Sequence, residues 1–505
     1  MEKSVISTWS KTKYFGWLLI AYIFAHGGIL FIPNAVYWDD WTLYKVENQF
    51  IYDTFKQAGS MFNITGHMHV ILLSIGPWFY KALTFILMFG TSILLESILK
   101  KYKMISIDER FLVILFFLVL PFNWARVALI NMTYTICYFL FFLAWSLMDR
   151  IRILSLILFF LSYNTNSLLV FYLLPFMDFY YRFVEKNISI KSFLTFLLEK
   201  IDFLILPFIY FIIKIYVYPP YGLYDGYNEQ YSLTSLLLSP LYMFWEWLSQ
   251  LHLSVGIFFL SLLFFYQFLR DKSIFNNIHF DFYRYNWYLL GFLIFFLGCF
   301  PYWILGHIPT FSEWTSRHQL LLPLGAALIL TALVKTAERG VRIFFVSVLL
   351  SVFLPLNMGI YKDFYVDWQK QKQLVLLFKN NDMLKNSQVV IFNDKTTGIN
   401  ALKRKYRSYE WNGLMTLAFG DEKRLGLGLE EFELMGRGEL FRGYFLEGEK
   451  FRAGAFRYDS TLQTVYVDID FYNVSLKKRI LAFGQPFLSV SSTVGQPIVL
   501  SKDLY

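Results

Sequence analysis

Charge is scarce in this chain: Asp, Glu, Lys and Arg together make up 16% of its 505 residues, against roughly 25% in an ordinary soluble protein. With 56% hydrophobic residues and a mean hydropathy of +0.45, the composition excludes an ordinary water-soluble globule and implies a protein that crosses a membrane many times. Cysteine is almost missing. The two present, Cys137 and Cys299, fall inside apolar runs, so neither a disulfide framework nor a cysteine metal cluster is available. No period of about 20–50 residues recurs, which excludes a repeat architecture. A glycine-rich phosphate loop is also lacking: Gly426 and Gly428 stand among charged residues, in a stretch not expected to supply the strand and helix that such a loop needs. Basic residues exceed acidic ones, giving a net charge of +9. They gather in short loops between apolar runs, where membrane orientation accounts for them, and nucleic acid is not an expected partner.

What the chain has in abundance is apolar sequence. Runs able to cross, or nearly cross, a bilayer begin near Tyr14, His69, Phe111, Ala128, Ile153, Ser167, Ile201, Leu248, Asn286, His318 and Val341. At about 20 residues per crossing these predict about eleven spans. The first run, residues 14–32, is too long for a signal peptide and lacks its cleavage pattern, so it is expected to be a retained span. With the N-terminus in the cytoplasm, nineteen Lys and Arg fall in inner segments, and only Lys45, Lys56, Arg126 and Arg317 in outer loops. That bias fixes the orientation, because positive charge stays inside. Residues 33–68 then form the first outer loop, and everything after 360 faces the exoplasm.

From 361 to 505 the character changes, with 21 Lys/Arg and 17 Asp/Glu in 145 residues, the level of a soluble domain. An amphipathic stretch at 368–384 leads into an expected strand at 389–392. Segments 451–458, 464–472 and 487–490 also read as strands. The expected architecture is therefore mainly α: a polytopic transmembrane helical bundle, residues 1–360, followed by a C-terminal exoplasmic α+β domain, residues 361–505.

Function is sought where charge occurs against expectation. Trp38-Asp39-Asp40-Trp41 places two carboxylates just after the first apolar run, between indole rings. Ionised carboxylates avoid hydrocarbon, so an adjacent pair at a bilayer surface marks a site where charge is used. The plainer alternative makes Asp40 or Thr42 the N-cap of a surface helix over 42–58, with the tryptophans as interfacial anchors.

The acidic pair, the preceding span and the outer loop together resemble the GT-C class of membrane glycosyltransferases. That class includes protein O-mannosyltransferases and bacterial transferases that decorate O-antigen, and Asp39-Asp40-Trp41 fits its DDx form of an outer-loop acidic pair. The resemblance implies an inverting enzyme in a bacterial inner (plasma) membrane, with its C-terminal domain periplasmic or extracellular. Such an enzyme moves a sugar from a polyprenyl-phosphate-linked donor to a cell-surface glycan or another lipid-linked or exoplasmic acceptor. A sugar hydroxyl that attacks an anomeric carbon must lose a proton, so one of Asp39 and Asp40 would be the general base. Its neighbour would orient the acceptor or hold a divalent metal ion. The departing lipid phosphate needs cations, for which Arg317, Lys214 and Arg126 are the candidates. His67 and His69 near the pair, Glu313 and His318 around Arg317, and Tyr224 in the outer loop after residue 218 complete the set of candidate substrate-binding residues. A polymerase or ligase of lipid-linked oligosaccharides would use more outer arginines than this chain has. A polysaccharide transporter or flippase would carry more charge at mid-span.

Overall fold

The structure is a computed structural model, and it describes residues 11–102, 105–184, 190–226, 232–251, 282–311, 313–336, 339–436, 464–471 and 488–495. It is mainly helical. The first half holds α1 (Lys11–His26), α2 (Asn48–Gln57), α3 (Ile64–Ile75), α4 (Pro77–Leu99), α5 (Ile107–Val119), α6 (Met132–Leu147), α7 (Arg152–Ser162), α8 (Ser167–Phe171) and α9 (Leu173–Val184). There follow α10 (Ile190–Glu199), α11 (Ile201–Tyr216), α12 (Leu233–Leu251), α13 (Phe282–Trp303), α14 (Leu322–Lys335), α15 (Arg339–Lys379), α16 (Asp382–Asn386), α17 (Ser408–Phe419) and α18 (Leu429–Gly436).

The helix ends follow local chemistry. Ser106 begins α5 with a reciprocal cap, its Oγ accepting from the Glu109 N–H at 3.3 Å while Glu109 Oε2 accepts from the Ser106 N–H at 2.8 Å. Pro77 occupies the first turn of α4, where its missing N–H costs nothing. Gly420, with φ of 81°, closes α17 in the left-handed conformation that glycine adopts without strain.

Four helical stretches among the described residues are long and apolar enough to cross a membrane: Thr12–Phe31, Pro77–Leu99, Leu129–Leu147 and Val341–Lys379. Several other apolar helices, among them α7, α11 and α14, have 16 residues or fewer, so the eleven spans expected from hydropathy are not matched element for element among the described residues. The reasons are local. Gly76-Pro77 divides the run that begins at His69 into α3 and α4, and the run beginning at Phe111 stops at Val119 ahead of Pro121. The run expected from Leu248 lies outside the described residues beyond Leu251.

Buried side chains of α1, α4, α5, α6, α13 and α14 form one continuous apolar core. Within it α13 and α14 cross closely, because Gly325 lets the Phe295 backbone approach to 2.5 Å from where a Cβ would stand.

Beyond the bundle, the long α15 continues into polar sequence and meets a four-stranded sheet in the order β2-β1-β3-β4. The strands are β1 (Val389–Asp394), β2 (Leu425–Gly428), β3 (Thr464–Phe471) and β4 (Leu488–Val494). β1 pairs in parallel with β2 and β3, and β4 runs antiparallel to β3. A parallel pair needs a crossover, and α17 supplies it between β1 and β2. Val389 to Phe392 are all buried, as suits a central strand covered on both faces. The expected strand at 451–458 lies outside the described residues. One expectation is corrected: Gly426 and Gly428 do have a strand, β2, and a helix, α18, around them. Neither glycine adopts the left-handed φ of a phosphate-cradling turn. The Gly428 N–H is already taken by Glu431 Oε2 at 3.1 Å, and negative charge stands where an anion would bind.

Candidate functional site

Residues Trp38–Thr42 form a single 3₁₀ turn that follows the extended residue Tyr37. Asp40 holds this turn together. Its Oδ2 accepts from the Tyr37 N–H at 3.1 Å, and its Oδ1 accepts from the Ile130 N–H at 2.8 Å, pinning the turn to the segment that enters α6. The side chain is fully buried, and burial pushes its carboxyl above the usual carboxylate range. The charge of Lys81, together with the backbone amides of Ile130, Leu129 and Tyr37, pulls the other way. Lys81, itself buried in α4, donates to the Val127 carbonyl and lies 5.4 Å from the Tyr37 ring centroid. Asp40 is therefore a structural residue: both oxygens are committed to backbone amides, and it does not line the cavity described below. As general base or metal ligand it is withdrawn; nor does it or Thr42 cap a helix over 42–58, since α2 begins only at Asn48, after Glu47, and Asp40 instead closes its own turn.

Removing one member of a buried charge pair costs about 3–5 kcal/mol. Asp40→Ala is accordingly expected to lower the unfolding temperature and the yield of the purified protein sharply. Adding Lys81→Met should recover part of that loss, since it removes the stranded charge. No recovery in the double variant would contradict the pairing.

Asp39 is placed differently. It is half-buried and hydrogen-bonded with Tyr409 near the start of α17. Burial first, then the charges of Asp39 and Glu410, raise the Tyr409 hydroxyl well above its usual range, so Tyr409 keeps its proton and donates. Trp38, with φ of 52°, adopts a left-handed conformation that is costly for a bulky residue. In that conformation its ring lies on Trp314 with centroids 5.1 Å apart and planes 9° from parallel. The pair is flanked by two cations, the Arg317 guanidinium 4.8 Å from the Trp38 ring and the Arg404 guanidinium 5.4 Å from the Trp314 ring. Arg404 is ion-paired with the buried Glu410, whose Oε1 also accepts from the Trp38 N–H at 3.3 Å. Residues after 400 thus hold the acidic turn in place.

Arg317 joins this stack to a cavity of about 550 Å³. Lys214, Tyr210, Tyr302, His307, Arg317 and His318 are among its lining residues, with Asn164 and Asn166. The Arg317 Nε–H donates to His318 Nε2 at 3.3 Å, which leaves the hydrogen of a neutral His318 on Nδ1. That Nδ1 is buried without a hydrogen-bond partner among the described residues. His318 stacks on His307 at 5.1 Å and packs, tilted by 32°, on Tyr302 at 4.7 Å. Lys214 reaches back from α11 to donate to the Gly59 carbonyl in the loop that follows α2. Two cations, Lys214 and Arg317, and the unsatisfied His318 thus line one partly apolar space. An anion with an apolar tail satisfies such a lining best.

Burial, followed by the Arg317 and His307 charges, holds His318 well below its usual pKa of 6.5. Below pH about 6.5 the unfolded chain then binds a proton that the folded chain refuses, and stability falls on acidification by up to about 1.4 kcal/mol per pH unit. The drop in unfolding temperature between pH 7 and pH 5 should therefore be smaller in His318→Gln than in the wild type. An equal drop would place the acid sensitivity elsewhere.

The remaining candidates lie apart from the cavity. Arg126 is buried and spends its fork on its own turn, with Nε donating to the Asn123 carbonyl at 2.8 Å and Nη2 to that of Phe122. It is not available to phosphate. His69 is buried between Phe55 and Tyr80, with Nδ1 3.0 Å from the Tyr80 hydroxyl. His67, two residues earlier on α3, is exposed and packs on Tyr52, so the two imidazoles diverge as helical spacing requires. Tyr224 ends a short turn that is tied to α2 through the Tyr221 N–H and the Gln57 carbonyl at 2.9 Å. Glu313 opens the turn Glu313–Gln319, but its side chain lies outside the described residues. Among the described residues no three His, Cys, Asp or Glu side chains gather as a metal site. Comparisons with protein-family models, with curated proteins and with solved structures find no match to this chain. The site therefore rests on its own geometry. Sequence reading missed the partnership of Asp40 with Lys81, together with Tyr409, Arg404 and Glu410. Lys81 alone left a signal, as a lysine inside an apolar run.

Proposed function

We propose that this chain is an inverting membrane glycosyltransferase that takes a sugar from a polyprenyl-phosphate donor and passes it to a glycan acceptor at the membrane surface. The observation that supports this most is the shared position of Arg317, which borders the cationic cavity and at the same time lies on Trp38, the neighbour of Asp39. The donor phosphate occupies the cavity, where Arg317 gives a planar fork, His318 its Nδ1–H, and Lys214 a second positive charge. Asp39 accepts the proton of the acceptor hydroxyl as that oxygen bonds to the anomeric carbon. The bond from that carbon to the phosphate oxygen breaks at the same time, and the electron pair leaves on the phosphate. Tyr409 holds the Asp39 carboxylate in orientation. An in-line displacement of this kind inverts the anomeric centre.

The experiment is a comparison of lipid-linked sugars and surface glycan between a strain lacking the chain and its parent. The expected result is accumulation of one lipid-phosphate sugar together with loss of one sugar type from the glycan. Unchanged pools of both would remove the reading.

A further inference from the structure

A second opening, of about 310 Å³, borders the acidic turn at Trp41. Its lining residues include Asn34 and Tyr44 from the entry loop, Trp368, Gln371 and Lys372 from α15, and Leu417 from α17. It sits beside the charged part of α15, past Lys362. Trp41, which also lines it, is seated against α17 where Gly413 leaves room: a Cβ there would stand 2.3 Å from the indole. Gln371 is 4% exposed, and its Nε2 has no hydrogen-bond acceptor among the described residues. The Lys372 ammonium lies 4.1 Å from the Trp368 ring centroid at the groove's exposed side. None of the lining residues is acidic.

The groove is continuous with the site along one helix face. Tyr409, Gly413 and Leu417 are four residues apart on α17 and so form one stripe. Tyr409 holds Asp39 at one end, and Leu417 borders the groove at the other, roughly 12 Å along the helix axis.

We propose that this groove binds the saccharide chain of the acceptor and lays its free hydroxyl end toward Asp39. The assignment rests on the transferase reading for its purpose and on the groove's own chemistry for its ligand. A saccharide offers apolar C–H faces to Trp368 and Tyr44, and its hydroxyl oxygens can accept from Gln371 Nε2, Asn34 and Lys372. An acyl chain would fill the same space and leave the buried Gln371 amide unsatisfied.

The test is binding, read without transfer. Full-length protein in nanodiscs is titrated with a panel of soluble oligosaccharides, two to four sugars long, built from hexoses, deoxyhexoses and N-acetylhexosamines. Saturation-transfer NMR and calorimetry provide the readout. At least one member is expected to bind, with affinity reduced 10-fold or more in Gln371→Leu and in Trp368→Ala. Asn34→Trp, at the exposed rim, should block the groove without disturbing the core, which keeps the test informative if an inner variant folds poorly. Absence of binding by every panel member, or equal affinity in all three variants, overturns the proposal. Asp39→Asn is assayed separately, for transfer. If that variant still transfers sugar, the reaction proposed above falls while the groove result stands. If binding ignores Gln371, Trp368 and Asn34, the groove falls while the reaction stands.

Discussion

Asp39→Asn is expected to cut sugar transfer by about 10²- to 10⁴-fold, the usual worth of a positioned general base, while leaving yield and unfolding temperature near those of the wild type. The substitution keeps the size of the side chain and an oxygen that can accept from Tyr409, but removes the basicity that takes the acceptor proton. Asp40→Asn should separate from it cleanly. Asp40 is sealed against backbone amides and balanced by Lys81, so its loss shows first as lost protein. Adjacent carboxylates thus have opposite expected phenotypes, one read in turnover and the other in folding. Equal activity of the wild type and Asp39→Asn in matched amounts would leave the turn as a structural feature only.

The second large effect belongs to Arg317. Arg317→Ala is expected to lower transfer by about 10²- to 10³-fold, as removal of one preorganised group facing developing charge does elsewhere. It also strips the cation from the Trp38 face and the donor from His318 Nε2. Arg317→Lys keeps the charge but loses the fork and the flat contact with the indole, so it should recover only part of the loss. An assay of transfer in membranes over a range of donor concentrations checks this. Activity of Arg317→Ala within threefold of the wild type would mean that the cavity does not hold the donor phosphate.

The region after residue 361 takes on a role that its composition did not suggest. Glu410 accepts from the Trp38 N–H, Arg404 covers Trp314, and Tyr409 holds Asp39. Removing these residues would dismantle the acidic turn rather than merely detach an accessory unit. The turn Trp38–Thr42 and the segment from Arg404 to Glu410 meet at the site.

Periodicity and composition disclosed the helical character and the strands at β1, β3 and β4, because apolar runs and β-branched alternation are local signals. They did not register the break at Gly76-Pro77, which divides one apolar run into two helices among the described residues. They also missed β2, whose Leu-Gly-Leu-Gly carries no strand propensity and forms by pairing with β1. At the site, Arg317, Lys214 and His318 were legible as charge or imidazole at odds with their surroundings, and the fold brings all three to one cavity. Asp39 and Asp40 looked equivalent as neighbours. What distinguishes them is contact with Ile130 on one side and Tyr409 on the other, each far away in sequence.

The most direct measurement is made in a strain lacking the chain, complemented in turn with the wild type, Asp39→Asn and empty vector at equal membrane levels. Mass spectrometry then reads the surface glycan and the pool of lipid-phosphate sugars. The glycan of the Asp39→Asn strain should match that of empty vector, lacking the same sugar and accumulating the same lipid-linked donor. A glycan indistinguishable from that of the wild type would contradict the assignment of Asp39 as the base, and with it the transferase.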